Sequence, residues 1–77
     1  MCDNEFMSDE RIKTLGFNIK VERLRQKITQ EKLAELVDLS LNSITKIEGG
    51  KQVPSCLVFY DIAKVLGIDI KELYKGL

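Results

Sequence analysis

Hydrogen-bonding side chains are concentrated in one short stretch, residues 40–46, which reads SLNSITK. Its hydroxyl groups and its asparagine amide can donate and accept hydrogen bonds, and its lysine carries a positive charge. Groups for covalent or metal chemistry are scarce, because the chain has no histidine and its two cysteines, Cys2 and Cys56, stand in no metal-binding spacing. We therefore expect no enzyme activity, no cofactor, no bound metal and no small-molecule substrate.

The elements that position this stretch are predicted to be short helices. Apolar residues recur at helical spacing in five segments, without strand-like alternation. Four of the segments follow a candidate N-cap: Thr29, Ser40, Ser55 and Asp69. Glu72 follows Asp69 at capping-box spacing, and Gly67 is a predicted helix stop. The sequence thus predicts a compact all-α domain of five helices over residues 11–77, preceded by a flexible acidic arm over residues 1–10.

The apolar side of each predicted helix supplies the expected core, which is modest in a chain of 77 residues. The core candidates are Ile12, Leu15, Phe17, Ile19 and Leu24, then Leu33, Ala34, Leu36 and Val37, then Ile44 and Ile47, then Phe59, Ile62, Ala63 and Leu66, and finally Ile70, Leu73 and Tyr74. Gly16 weakens the first helix. Leu57 and Val58 either join this core or form an exposed apolar patch with Tyr74 or Leu77.

Charge is distributed unevenly although the net charge is zero. Residues 1–10 carry four acids and no base, whereas residues 11–77 carry 12 bases against 8 acids. A basic body suits a polyanionic partner, but it is also ordinary for a solvated surface. The sequence has neither an 18-residue apolar run nor a secretory leader, so we expect a cytoplasmic protein without a membrane partner.

Residues 30–47 fit two helices joined by a tight turn at a wide angle. The first helix needs a small residue at the point of closest approach, where Ala34 stands. The turn needs a left-handed residue, a conformation that Asp38 tolerates. Leu39 then supplies the apolar side chain that plugs the junction. Ile44 and Ile47 face inward on the second helix, and Asn42, Thr45 and Lys46 face outward.

The stretches TQEKLAELVDLSLNSITKIEGGKQVPS and IAKVLGIDIKELY resemble the lambda-repressor-like family of Cro- and XRE-type helix-turn-helix proteins. The resemblance implies a five-helix fold in which helices 2 and 3 form the helix-turn-helix. It also implies a sequence-specific transcriptional regulator, usually a repressor, that places residues 40–48 in the major groove of double-stranded DNA. A homodimer would then bind two half-sites about 34 Å apart. Asp38 departs from the usual glycine of the turn, and Leu41 departs from the usual polar readout residue.

The resemblance also assigns roles to individual residues. The implied base contacts are Leu41, Asn42 and Thr45, and the implied contacts to the DNA backbone are Gln30, Ser40, Ser43, Lys46, Gly50 and Lys51. Asn42 suits an adenine edge, Leu41 a thymine methyl group, and Thr45 either of these. Arg23 and Glu48 are implied to form a buried structural salt bridge.

Each of these roles competes with a simpler interpretation. Gln30 would otherwise be a solvent-facing residue at a helix start, and Leu41 would otherwise belong to the core. The GGK sequence over residues 49–51 is also an ordinary helix end, a role that is compatible with phosphate binding. At the level of function, a restriction-modification controller, an antitoxin or another protein-interaction module would use much the same domain. The acidic arm is not expected to touch DNA.

Overall fold

The computed structural model describes residues 2–77, with side chains from residue 10 onward. Within this range the chain forms helices α1 (Cys2–Arg25), α2 (Gln30–Leu36), α3 (Leu41–Glu48), α4 (Cys56–Leu66) and α5 (Ile70–Leu73). These residues include no strand, so the prediction of an all-α fold with five helices is confirmed. None of the described helices has the length and apolar content that crossing a membrane requires.

The first helix is longer than the sequence pattern indicated. α1 begins at Cys2, inside the segment that we predicted to be a flexible acidic arm. A helix can extend past its packed portion because its backbone hydrogen bonds are made within the helix itself. Residue 1 lies outside the described residues, and so do the side chains before residue 10. The domain boundary after residue 10 and the expected lack of DNA contact by the arm therefore stay predictions.

The four predicted N-caps begin the four shorter helices. Each has an extended backbone and a side-chain oxygen that accepts a backbone N–H of the first turn: Thr29, Ser40, Ser55 and Asp69. Gly67 ends α4 in the left-handed conformation, with φ 68°. The two bonds of a capping box are not formed at α5: Asp69 Oδ1 accepts the Lys71 N–H, and the Glu72 carboxylate pairs with Lys75 Nζ at 2.8 Å. Cap chemistry thus sets where these helices start, as the sequence predicted.

The core lies where the five helices meet. Its largest fully buried side chains are Ile19, Leu33, Ile44, Ile47, Ile62 and Leu73. All six were predicted core residues. Val58 also packs against this core, while Leu57 is 72% exposed. Of the two open interpretations, core packing therefore applies to Val58 and exposure to Leu57.

Four predicted core residues are instead exposed: Phe17 by 61%, Leu24 by 53%, Leu36 by 46% and Tyr74 by 48%. Each lies directly beside a buried position in the sequence, and one residue rotates a helix by about 100°. The inward side of α1 is occupied by Gly16, Ile19 and Arg23, so Phe17 and Leu24 turn away from the core. Tyr74 is exposed although its ring centroid lies 5.0 Å from that of Phe59.

α1 and α3 approach each other closely at Gly16. A Cβ atom at this position would lie 2.8 Å from the Glu48 carbonyl oxygen and would collide with the Ile47 carbonyl oxygen. Backbone atoms cannot give way as a flexible side chain can, so only glycine fits here. The glycine that weakens α1 as an isolated helix therefore fixes the C-terminal end of α3 against α1.

Candidate nucleic-acid interface

The turn between α2 and α3 has the predicted geometry. Asp38 has φ 59°, in the left-handed region. Ala34 is buried, and its carbonyl oxygen accepts a hydrogen bond from the Leu39 N–H at 2.8 Å. Leu39 packs against the core from a partly buried position. These contacts set the angle at which α3 leaves α2, and they hold α3 at the surface.

α3 has one buried side and one uncovered side. Ile44, Ile47 and Glu48 are buried. The outward residues are exposed, with Ser43 partly buried: Ser40, Leu41, Asn42, Ser43, Thr45 and Lys46. Leu41 is 44% exposed, so the interpretation that it belongs to the core is wrong. The helix-turn-helix thus presents a helical surface that mixes hydrogen-bonding groups, one apolar side chain and one positive charge.

The two serines of this surface are bonded to each other. Ser40 Oγ accepts the Ser43 N–H at 3.1 Å and donates to Ser43 Oγ, also at 3.1 Å. The Ser43 oxygen accepts inside the pair, so its own proton remains available to an outside acceptor. A phosphate oxygen is an acceptor of this kind, which suits the predicted backbone contact by Ser43.

A buried ion pair joins α1 to the end of α3. Arg23 Nε donates to Glu48 Oε2 at 2.7 Å, and Arg23 Nη2 donates to Glu48 Oε1 at 3.0 Å. Arg23 Nη1 also donates to the Ile28 carbonyl oxygen at 2.7 Å. The salt bridge that the family resemblance implied is therefore present. Both charges are satisfied by geometry that holds the two helices in register.

Gln30 connects this ion pair to the exposed side of α3. Its amide Nε2 donates to Glu48 Oε1 at 2.9 Å, and its Oε1 accepts from Thr45 Oγ1 at 3.2 Å. The side chain is half-buried, so the interpretation of Gln30 as a free solvent-facing residue is wrong. The sequence carried a signal for this link that we missed: Thr45 and Glu48 are three residues apart and share one side of α3.

The glycine turn after α3 uses its own amides. The N–H groups of Gly49, Gly50 and Lys51 donate to the carbonyl oxygens of Thr45, Ile47 and Lys46. This is the ordinary helix end, and the amides expected to face a phosphate are already engaged. Gly50 has φ 75°, and the Lys51 side chain remains exposed. The side chain of Lys51 is therefore a stronger candidate for a phosphate contact than the Gly50 amide.

Sequence reasoning missed Lys13 as part of this surface. A Cβ atom on Gly50 would lie 2.7 Å from Lys13 Cγ and 2.9 Å from Lys13 Cα. α1 therefore passes directly over the turn and places a second exposed lysine against Gly50, the residue before Lys51. No local pattern signals this, because the two residues come together only when α1 packs against the end of α3. The turn thus has more positive charge than its own sequence provides.

The fold and this surface define a class: an all-α domain whose second and third helices form a helix-turn-helix of the lambda-repressor type. A family model described as "Helix-turn-helix domain" matches residues 16–77. The chain belongs to this family. The resemblance inferred from the sequence is thereby confirmed at the level of fold and family.

Individual relatives agree with this assignment. The helix-turn-helix-type transcriptional activator BcrR of Enterococcus faecalis is 39% identical over 64 residues, which cover 80% of this chain and 31% of that protein. A helix-turn-helix-type transcriptional regulator of Methanocaldococcus jannaschii is 36% identical over 56 residues, which cover 73% of this chain and 85% of that protein. The chain thus spans about a third of the Enterococcus relative and most of the other.

A solved structure has the same fold over most of the chain. The restriction-modification controller protein C.AhdI from Aeromonas hydrophila superimposes with a TM-score of 0.78 at 26% sequence identity. The match covers 80% of this chain and 94% of that chain.

Proposed function

We propose that this chain is a sequence-specific DNA-binding transcriptional regulator that places α3 in the major groove. The observation that carries the proposal is the uncovered side of α3, held outward by the Asp38 turn and by the Arg23–Glu48 ion pair. A major groove is about 12 Å wide, which admits one α-helix. The relatives named as transcriptional regulators support the same function.

Base discrimination would come from three exposed side chains of α3. Asn42 carries the amide that pairs bidentately with the N6 and N7 atoms of adenine. Leu41 precedes it and offers an apolar contact to a thymine methyl group. Thr45 stands one turn after Leu41 and completes the set. Each good bidentate pair contributes about 1–3 kcal/mol of discrimination against the wrong base.

Backbone contacts would supply most of the affinity. Lys46 and Lys51 are exposed cations at the C-terminal half of α3 and the turn after it, and Lys13 joins them from α1. Gln30, Ser40 and Ser43 add uncharged hydrogen bonds at the start of α2 and of α3. Neutralised phosphates release counterions, so binding must weaken as salt rises.

The proposal includes a homodimer that binds two half-sites. A single helix reads too few base pairs to select one site, whereas a two-fold dimer doubles the contacts and fixes a spacing of about 34 Å. Leu57 is 72% exposed, and Tyr74 and Leu77 are each about half exposed. These apolar side chains support a contact between two copies through α4 and the C-terminal end.

Repression in the cytoplasm is the proposed outcome, because a bound dimer covering a promoter excludes the polymerase. Control of a restriction-modification system is the second candidate, favoured by the match that covers 94% of C.AhdI. The proposal assigns no catalytic activity, no cofactor and no small-molecule substrate to the chain.

Selection of bound oligonucleotides from a random duplex library tests the proposal. The expected result is one enriched sequence with two-fold symmetry, bound by a dimer, with an affinity that falls steeply as salt increases. Footprinting on the enriched duplex then gives the half-site spacing. Binding that is absent, or that does not respond to salt, would contradict the proposal.

A further inference from the structure

A series of hydrogen bonds links Arg23 to Thr45 through Glu48 and Gln30, and the donor of each bond is fixed. An ionised carboxylate only accepts hydrogen bonds, so Glu48 must receive protons from both Arg23 and Gln30. The Gln30 atom 2.9 Å from Glu48 Oε1 is therefore the amide nitrogen. The flipped amide would set two acceptor oxygens against each other. Glu48 thus fixes the orientation of the Gln30 amide, with its oxygen turned toward α3.

This orientation of the Gln30 amide determines which protein atoms can accept the hydroxyl proton of Thr45. Thr45 Oγ1 has two acceptors on the protein side: Gln30 Oε1 at 3.2 Å and the Leu41 carbonyl oxygen at 3.0 Å. Either of them takes the proton, so none is left to point outward. The Thr45 side chain is exposed, and its solvent-facing side then consists of oxygen lone pairs and a methyl group.

From this geometry we infer that Thr45 recognises a base that carries an amino group in the major groove, adenine or cytosine. Adenine N6 and cytosine N4 donate there, whereas guanine O6 and N7 and thymine O4 only accept. A hydroxyl oxygen without a free proton is attracted to the amino groups of adenine and cytosine, and it is repelled by the acceptor atoms of guanine and thymine. The inference rests on the proposed function and makes Thr45 a specificity-determining residue, with Gln30 and Glu48 as positioning residues.

The fixed orientation of the Gln30 amide also determines which of its N–H groups is free to bind DNA. Its amide nitrogen has two protons, and one is used on Glu48. The second remains free to donate to a phosphate oxygen, in keeping with the proposed backbone contact. The ion pair therefore gives α2 a donor facing the DNA backbone and gives α3 an acceptor facing the bases.

Removing single amino groups from the enriched DNA site tests the inference. Each adenine is replaced in turn by purine, and each cytosine by the analogue that lacks the 4-amino group. Binding by the unchanged protein is compared with binding by Thr45→Val, which keeps the shape of the side chain but has no oxygen. At one position per half-site the unchanged protein should lose about threefold to tenfold in affinity, the effect of a single hydrogen bond.

The variants separate Thr45 from its neighbours. Thr45→Val should bind the two DNAs equally at that position, while amino groups read by Asn42 keep their effect. Thr45→Ser, which restores the hydroxyl, should restore the sensitivity. Thermal unfolding of both variants checks that they fold, as expected for an exposed position.

Three results would overturn the inference. If every amino group that affects the unchanged protein affects Thr45→Val equally, or if thymine or guanine is required opposite Thr45, the inference fails while the proposed function stands. If the library yields no enriched sequence, the proposed function and the inference fail together.

Discussion

At the residue scale, the ion pair between Arg23 and Glu48 also orients the exposed side of α3. Glu48 accepts a hydrogen bond from the Gln30 amide, and Gln30 accepts one from Thr45. The family resemblance implied the pair itself. The additional bond to the Ile28 carbonyl oxygen was not predictable, because it depends on how the segment between α1 and α2 folds back, whereas the bond from the Gln30 amide had a signal in the spacing of Thr45 and Glu48. The buried Glu48 carboxylate accepts three hydrogen bonds, two of them from Arg23. Loss of Arg23 would leave its charge without compensation.

Arg23→Ala should therefore lower the free energy of unfolding by about 3–5 kcal/mol, since Glu48 would remain buried without its partner. Arg25→Ala is the matched control: Arg25 is exposed and lies 3.4 Å from Glu22, a type of surface pair worth about 0–1 kcal/mol. Urea titration followed by circular dichroism measures both. Equal stability of the two variants would show that the pair is not needed.

At the element scale, the position of α3 depends on one tight contact and one strained turn. The helix starts were predictable from the sequence because caps are local signals. The contact between Gly16 and the end of α3 was not, because a glycine that permits close packing looks in the sequence like one that only weakens a helix. The exposure of Phe17 and Leu24 also escaped prediction, because the inward positions beside them are taken by Gly16 and Arg23.

Gly16→Ala tests the close contact between α1 and α3. In an exposed helix this change adds about 0.5–1 kcal/mol of stability. Here the new Cβ meets backbone atoms of α3, so we expect a loss of about 1–3 kcal/mol, the usual cost of overpacking. Lys20→Ala, at an exposed position of the same helix, is the control and should change little. A more stable Gly16→Ala protein would disprove the tight approach.

A substitution in the turn between α2 and α3 should raise the free energy of unfolding instead of lowering it. Asp38 has φ 59°, a conformation that costs an ordinary residue about 1–2 kcal/mol and glycine almost nothing. Asp38→Gly should therefore raise the free energy of unfolding by up to about 1 kcal/mol. Thermal melting measures the shift. A lower melting temperature would mean that the Asp38 side chain stabilises the turn in some other way.

At the scale of the whole molecule, zero net charge conceals a basic surface assembled from distant parts of the chain. The charge excess of residues 11–77 was evident from the sequence. The approach of Lys13 to the turn at Gly50 was not, because it depends on α1 crossing the turn after α3. The fold class was predictable because it depends on local signals, since helical periodicity and caps recur along the whole chain.

The basic surface predicts the salt dependence of DNA binding. Lys51→Ala and Lys13→Ala should each lower the slope of log affinity against log salt by about 0.9, the value for one neutralised phosphate. Lys64→Ala is the control, because Lys64 lies on α4 with its Nζ 5.9 Å from the centre of the Tyr60 ring. A slope unchanged by Lys51→Ala would remove this residue from the interface.

Base discrimination by Asn42→Ala is the most direct measurement of the central claim that the uncovered side of α3 reads DNA sequence. Affinities are measured for the enriched duplex and for duplexes with each base pair exchanged, using the unchanged protein and the variant. We predict that the variant loses discrimination at one base pair in each half-site, by about tenfold to hundredfold, and keeps its binding to unrelated DNA. Discrimination that is the same in both proteins at every position would contradict the account.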